Sequence, residues 1–385
     1  MNFDLTEDQV AFSETAKQFA EQELAPHAAK WDKEHIFPKE VIQKAGELGF
    51  CALYTPEEAG GLGLSRLDSA IIFEQLASGC TATTAMMTIH NMATWMIASW
   101  GTEAIKDTWC PTLVTGEHLA SYCLTEPGSG SDAASLRTTA KKDGDHYVIN
   151  GSKMFISGAG ETDVLVVMVR TGGPGAEGIS AVVIPADAPG IIYGKAEEKM
   201  GWNAQPTRLI TFEDVRIPVE NLLGNEGEGF KFAMMGLDGG RVNIAVCSIG
   251  TAQRALETAT EYMKTRTQFG KPLAAFQALQ FKLADMATEL VAARQMVRLA
   301  AFKIDSMDAD KTTYCAMAKR FATDVGFNVC NDALQLHGGY GYIQEYPLER
   351  HVRDVRVHQI LEGTNEIMRV IIGRRLLADN DNLIL

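Results

Sequence analysis

Positive charge is scarce in this chain: 35 Lys and Arg stand against 49 Asp and Glu, a net charge of -14. That is the wrong sign for a protein that coats nucleic-acid phosphates. No apolar run reaches the length that spans a bilayer, and the start Met1-Asn2-Phe3-Asp4 lacks the basic region and apolar core of a signal peptide. The expectation is a soluble cytoplasmic protein, prokaryotic in character because its first helix begins so near the start, with neither nucleic acid nor membrane as partner. The seven cysteines are scattered, odd in number and never spaced C-x-x-C, which disfavours a disulfide framework or a zinc knuckle and leaves small buried thiols. There is no H-E-x-x-H, no G-x-x-x-x-G-K-[ST] and no G-x-S-x-G, so zinc hydrolase, P-loop and serine hydrolase chemistry fall away. Internal repeats and low-complexity segments are absent too.

What is present divides into three zones over 385 residues. The first, 1–118, has helical periodicity. Thr6 and Gln9 form a capping box with Leu5 and Val10 as a hydrophobic staple, and Ser65 with Asp68 repeats the capping logic after the loop Gly60-Gly61-Leu62-Gly63. The second, 119–229, is β-rich: His146–Ile149, Val164–Val169 and Ile179–Ile184 alternate with Gly, Pro and Asp turns, and Gly172–Gly175 reads as a hairpin connection. No useful amphipathic helix lies between these runs, so an antiparallel sheet or small barrel is predicted rather than βαβ units. The third, 230–385, is helical again, with Leu283, Met286, Ala287, Leu290, Ala293 and Val297 on one face. The fold class is α+β: helical domain, antiparallel β domain, four-helix bundle.

Several segments can carry chemistry. Gly128-Ser129-Gly130-Ser131-Asp132-Ala133 matches G-x-G-x-x-A, but Pro127 precedes it and β structure follows, which argues against a dinucleotide fold. The stretch from Thr125 to Ser131 is either a plain Gly/Ser turn or a cradle of N–H groups and hydroxyls for a polar ring or phosphate. Gln335-Leu336-His337-Gly338-Gly339-Tyr340-Gly341 holds more glycine than a helix C-cap requires, and so allows close backbone approach to a ligand. In Leu361-Glu362-Gly363-Thr364, Thr364 can cap a helix that turns Ile367, Val370 and Ile371 to the core. Glu362 is then either a positioned general base or a surface carboxylate near the helix dipole. The run Arg266 to Pro272 offers a cation and an aromatic at a turn, or simply charge complementation of a helix end.

Together these segments resemble the acyl-CoA dehydrogenases over essentially the whole chain. Tyr122 to Asp132 is similar to the family's flavin loop, Arg266 to Pro272 to its R-x-x-F-G turn, and Gln335 to Gly339 to its Q-x-x-G-G loop. The resemblance implies an FAD enzyme that oxidises a saturated acyl-CoA to the trans-2-enoyl-CoA. Glu362 would remove the α proton, the flavin would accept the β hydride, and electron-transfer flavoprotein would take the electrons onward. Some relatives carry their glutamate just before a substrate arginine; here Gly240 precedes Arg241, which leaves Glu362. The resemblance places Tyr122, Leu124, Thr125, Ser131, Phe155, Ser157, Thr364 and Glu366 at the FAD. Arg266, Phe269, Gln277, Gln335, Leu336, Gly338 and Gly339 would reach the FAD of a neighbouring subunit, in a homotetramer built as a dimer of dimers. Ser131, Asp238, Arg241, Gly363 and Arg374 would hold CoA, and Met86, Met87, Asn91, Trp95 and Leu361 are candidates for the acyl wall. The substrate implied is a short branched acyl-CoA, isobutyryl-like, as in valine breakdown. Butyryl-CoA or a 2-methyl-branched thioester is the alternative within enzymes, and a non-catalytic acyl-CoA or flavin binder the alternative outside them.

Overall fold

The computed structural model describes residues 4–378. Six helices come first: α1 (Glu7–Phe19), α2 (Ala25–Glu34), α3 (Lys39–Glu47), α4 (Arg66–Gly79), α5 (Thr81–Trp100) and α6 (Glu103–Val114). Both predicted capping boxes form, with the Thr6 hydroxyl accepting from Gln9 N–H and Ser65 from Asp68 N–H. Val10, the outer half of the predicted staple, stays exposed.

The middle region holds β1 (Ala120–Cys123), β2 (Thr139–Asp143), β3 (His146–Ser157), β4 (Val164–Arg170), β5 (Ile179–Pro185), β6 (Ile191–Tyr193), β7 (Thr207–Pro218) and β8 (Leu222–Leu223). They form one sheet in the order β6-β7-β3-β2-β4-β5-β8, with β1 paired to β4 beside that path. The predicted hairpin joins β4 to β5. The ladder is antiparallel except that β1 runs parallel to β4 and β2 meets β4 in one parallel pair. One residue pair accounts for this: Asp163 N–H donates to Leu119 O at 2.8 Å while Leu119 N–H donates to the Asp163 carboxylate at 2.8 Å, so β1 and β4 start side by side. Alternation along β4 and β5 then sorts the core. Val164, Val166, Met168, Ala181 and Val183 face Met96, Ile97 and Phe232 of the helices. Leu165, Val167, Val169, Val182 and Ile184 face Ile149, Ile210 and Phe212 of the same sheet. Each of these Val, Leu, Ile, Met and Phe side chains contributes about 1.5–3 kcal/mol on burial.

The chain then enters α7 (Gly229–Thr265), a short hairpin of β9 (Thr267–Gln268) and β10 (Lys271–Pro272), α8 (Gln277–Asp305), α9 (Lys311–His337), α10 (Leu348–Arg356) and α11 (Asn365–Leu377). α7 packs on α9, α8, α4 and α5, so it ties the two helical regions into one core. Met286, Leu290, Ala293 and Val297 of α8 are buried as the period predicts, while Leu283 and Ala287 lie at its margin. α11 departs from expectation. Thr364 caps it, accepting from Ile367 N–H, but the buried residues are Asn365 and Met368, and Val370 is 41% exposed. The polar anchoring of Asn365 to α9 turns the helix away from its apolar stripe.

Candidate active site

Glu362 follows a short turn after α10 and has φ +55°, with Gly363 at +86°. A non-glycine residue in the left-handed region costs about 1–3 kcal/mol and persists only where its surroundings fix it. They do so on both sides. His358 accepts from Trp202 Nε1 at 3.1 Å, and its Nδ1 meets Ser248 Oγ at 2.7 Å, joining the turn to the β region and to α7. The Ser248 hydroxyl also donates to Ile244 O, which assigns the Nδ1 proton to His358 as donor. Beyond Glu362, Lys319 Nζ donates to Gly363 O at 2.7 Å and to Asn365 Oδ1 at 2.9 Å.

Among the described residues the carboxylate held there has no hydrogen-bond partner, and its Oε2 is buried. Burial pushes its carboxyl up to about 7, against the opposing charges of Arg241 and then Lys319. It faces α7 at Gly240, where an added Cβ would overlap the carboxyl group. The space at residue 240 and the side chain of residue 362 are therefore one place. Arg241, one residue on, is buried and pairs with Asp238 at 2.7 Å, and Thr312 donates to the other Asp238 oxygen at 2.6 Å. Tyr122 brings a buried, unpartnered hydroxyl from β1, its phenol pushed well up by burial and then by the Glu362 charge.

Four further residues belong to this site and were not read from the sequence. Tyr54 is buried with the Arg66 guanidinium 3.4 Å above its ring, and its hydroxyl accepts from Asn243 at 3.2 Å. Arg66 also lies 5.2 Å from the Trp95 ring and keeps a buried, unpartnered Nη1. Lys319 is the fourth. Its sequence signal was a lysine among Cys315, Ala316, Ala318 and Ala322, a core face where a charge needs a reason.

Beside Tyr122, the loop Leu124–Ser131 turns at a Glu126–Ser129 bridge and enters a short 3-10 turn, Ala133–Ser135. No helix follows, so the dinucleotide motif is a coincidence of letters. The buried Lys153 underpins the loop through Leu124 O at 3.0 Å and Glu126 at 2.8 Å. Met154 N–H donates to Thr125 O, and Ser121 Oγ donates to Ser157 O, so Thr125 and Ser157 lie on joined segments. Phe155 has φ +58° where β3 slips against β7, and this bulge leaves its ring 61% exposed. A Cβ at Gly128 or Gly130 would meet nothing within 4 Å. An open glycine loop with the hydroxyls of Thr125 and Ser131, an unclaimed aromatic face and the unpartnered Tyr122 hydroxyl is a donor set that fits a flavin.

The other expected residues lie elsewhere. Arg266 and Phe269 flank the hairpin after α7. Arg266 sits 5.4 Å from the Tyr340 ring rather than at a helix carbonyl, and Phe269 is 92% exposed at φ +51°. Gln277, Gln335, Gly338 and Gly339 are exposed, whereas the Leu336 side chain is buried in the bundle. At 1.5 Å per residue α7 carries Arg266 about 38 Å from Arg241. Thr364 and Glu366 open α11, and Ser131 and Arg374 are exposed. Among the acyl-wall candidates, Met86 and Met87 are fully buried, Leu361 packs at the core margin and Trp95 meets Arg66. Asn91 is committed elsewhere: it accepts from Leu53 N–H and donates to Phe50 O and Met87 O. Both of its N–H groups are used, which leaves no donor for a ligand.

Residues 6–117, 121–215 and 227–377 match, in turn, the N-terminal, middle and C-terminal domains described for acyl-CoA dehydrogenases. The chain is 55% identical to the mitochondrial isobutyryl-CoA dehydrogenase of Bos taurus, over 97% of this chain and 90% of that one. Among solved structures, the butyryl-CoA dehydrogenase of Megasphaera elsdenii superposes with a TM-score of 0.95 at 41% identity, covering 98% of this chain and all of the other. A structure described as the electron transferring flavoprotein of Acidaminococcus fermentans, in work on flavin-based electron bifurcation, gives 0.96 at 44% identity, with 98% and 100% covered. The three domain matches in order, with these identities over nearly the full length, mean that the chain belongs to the acyl-CoA dehydrogenase family.

Proposed function

We propose that this acyl-CoA dehydrogenase acts on a short branched acyl-CoA, an isobutyryl thioester, and converts it to the α,β-unsaturated 2-methylpropenoyl thioester. The observation that carries the chemistry is the Glu362 carboxylate, buried, unpartnered and raised to about 7 opposite Gly240. A base for a weakly acidic α C–H works best with a pKa near the operating pH, and entry of an acyl chain would remove what water remains. Tyr122, Leu124, Thr125, Ser131, Phe155 and Ser157 would hold FAD, which would supply an acceptor for the hydride lost from the β carbon. Glu362 accepts the α proton. Arg241, part-neutralised by Asp238, holds the CoA portion with Ser131, Gly363 and Arg374, and keeps a positive charge near the carboxylate.

Identity to the isobutyryl-CoA dehydrogenase of Bos taurus supports the branched substrate. Likeness to the butyryl-CoA dehydrogenase of Megasphaera elsdenii supports the straight four-carbon thioester as the second reading. Electron-transfer flavoprotein is the acceptor we infer, in keeping with the description of the Acidaminococcus fermentans structure. A homotetramer is the assembly we infer, and two features support it. Exposed Phe281, Val291, Leu299 and Phe302 leave an apolar face on α8, and Arg266 and Phe269, which follow the C-terminal end of α7, lie too far from Arg241 to serve the same chain's Glu362 site. Anaerobic addition of acyl-CoA thioesters of varied length and branching, read as loss of flavin colour and then as turnover with an electron acceptor, tests the reading. Isobutyryl-CoA should outperform butyryl-CoA; the reverse order gives the second reading, and no bleaching with any thioester leaves a binder.

A further inference from the structure

Beside its His358 links to Trp202 and to α7, the segment that carries Glu362 is fastened to α9 at several points. Lys319 holds Gly363 O and Asn365 Oδ1. Asn365 in turn donates to Asp324 Oδ1 at 2.8 Å and Thr323 Oγ1 at 3.0 Å, and Gln359, three residues before Glu362, donates to the same Asp324 oxygen at 2.8 Å. Lys319 is fully buried. Its ammonium grips the carbonyl of the residue directly after the base, and no carboxylate stands within ion-pair distance of it among the described residues.

We propose that Lys319 is the positioning residue of the base: it fixes the left-handed Glu362–Gly363 turn through the Gly363 carbonyl and supplies, with Arg241, the positive charge that favours the ionised carboxylate. This rests on the reading of Glu362 as the base. Burial lowers Lys319 to about 7, opposed first by the Glu362 charge, so its support weakens as pH rises past that point. The charged groups facing Lys319 are Glu362 on its loop, Arg241 on α7, Asp324 on α9 and Glu366 on α11. Those facing Glu362 are Arg241 and Lys319, with the phenols of Tyr54 and Tyr122 beside it. His358, buried next to the same segment, is lowered to about 3 and stays neutral.

The test compares FAD-loaded Lys319→Met, Lys319→Arg and Asn365→Ala with the parent. Lys319→Met should keep its flavin, lose at least about tenfold in kcat, and move the acid limb of kcat/KM upward by roughly one pH unit, the usual effect of losing a nearby opposite charge. Lys319→Arg should return the limb to the parent position. Asn365→Ala, which loosens the grip but keeps the charge, should lower kcat with the limb unmoved. A readout independent of turnover is the melting-temperature difference between Lys319→Met and Lys319→Met/Glu362→Gln against pH, set beside parent against Glu362→Gln. Its midpoint reports Glu362 ionisation and should shift upward with the limb. If both midpoints stay put in Lys319→Met, or if Lys319→Arg is as impaired as Lys319→Met, Lys319 only supports the fold. If the midpoint shifts but no thioester is dehydrogenated even by the parent, the functional reading fails and the positioning of Glu362 stands.

Discussion

Replacing Glu362 by Gln tests site and fold at once. In the folded chain burial raises the carboxyl from 4.5 to about 7. With that base in the free enzyme, kcat/KM for isobutyryl-CoA should rise about tenfold from pH 6 to pH 8 as the carboxylate goes from about one-tenth to nine-tenths ionised. Glu362→Gln should retain FAD and lose turnover at every pH. The same shift has a stability counterpart. The folded state keeps a proton that the unfolded chain has shed, so the contribution is intact below about 4.5 and is lost as pH rises through about 7. Across the full shift this amounts to roughly 3 kcal/mol. The Gln variant carries no such penalty. It should equal the parent in urea stability near pH 4 and exceed it by up to roughly 3 kcal/mol at pH 8. A parent whose kcat/KM is flat from pH 5.5 to 8.5, or a Gln variant that still dehydrogenates, would refute the assignment. A Gln variant whose stability advantage over the parent is no larger at pH 8 than at pH 4 would refute the burial argument beneath it.

Asn91→Ala removes an amide that accepts from Leu53 N–H and donates to two carbonyls in the interior. It should cost roughly 2–4 kcal/mol in urea unfolding, since each orphaned buried group loses about 1–3 kcal/mol. Lys153→Met strands Glu126 beneath the glycine loop. A loss of about 3–5 kcal/mol should appear in thermal melts together with weaker retention of FAD, and the double variant Lys153→Met/Glu126→Leu should recover part of the stability. Phe302→Asp, on the exposed apolar face of α8, should reduce the mass measured by light scattering while leaving the helical circular dichroism unchanged. All seven cysteines are free and buried, so a disulfide-exchange thiol reagent should label none in the native protein and all in guanidinium.

The parts of this fold that the sequence made legible are those decided within a few residues: two capping boxes, the β4–β5 hairpin, and the glycine loops at 128–130 and 338–339. What could not be read depends on segments far apart. The parallel start of β1 beside β4 is set by Asp163 reaching back to Leu119, and Tyr54 meets Asn243 across 189 positions. The α11 face was misread because Ile367, Val370 and Ile371 have the right period, whereas Lys319 and Asp324 draw Asn365 inward instead. Glu362 shows the same limit. Its letters allow a surface carboxylate as readily as a base, and only the approach of Gly240, with no donor among the described residues within hydrogen-bond distance, isolates the oxygen. Lys319 was nevertheless visible in principle. Helix propensity admits lysine anywhere, but an alanine-rich stripe that turns inward has no use for a cation unless something buried nearby needs its charge or its hydrogen bonds. In this chain the buried thing is the loop that carries the base.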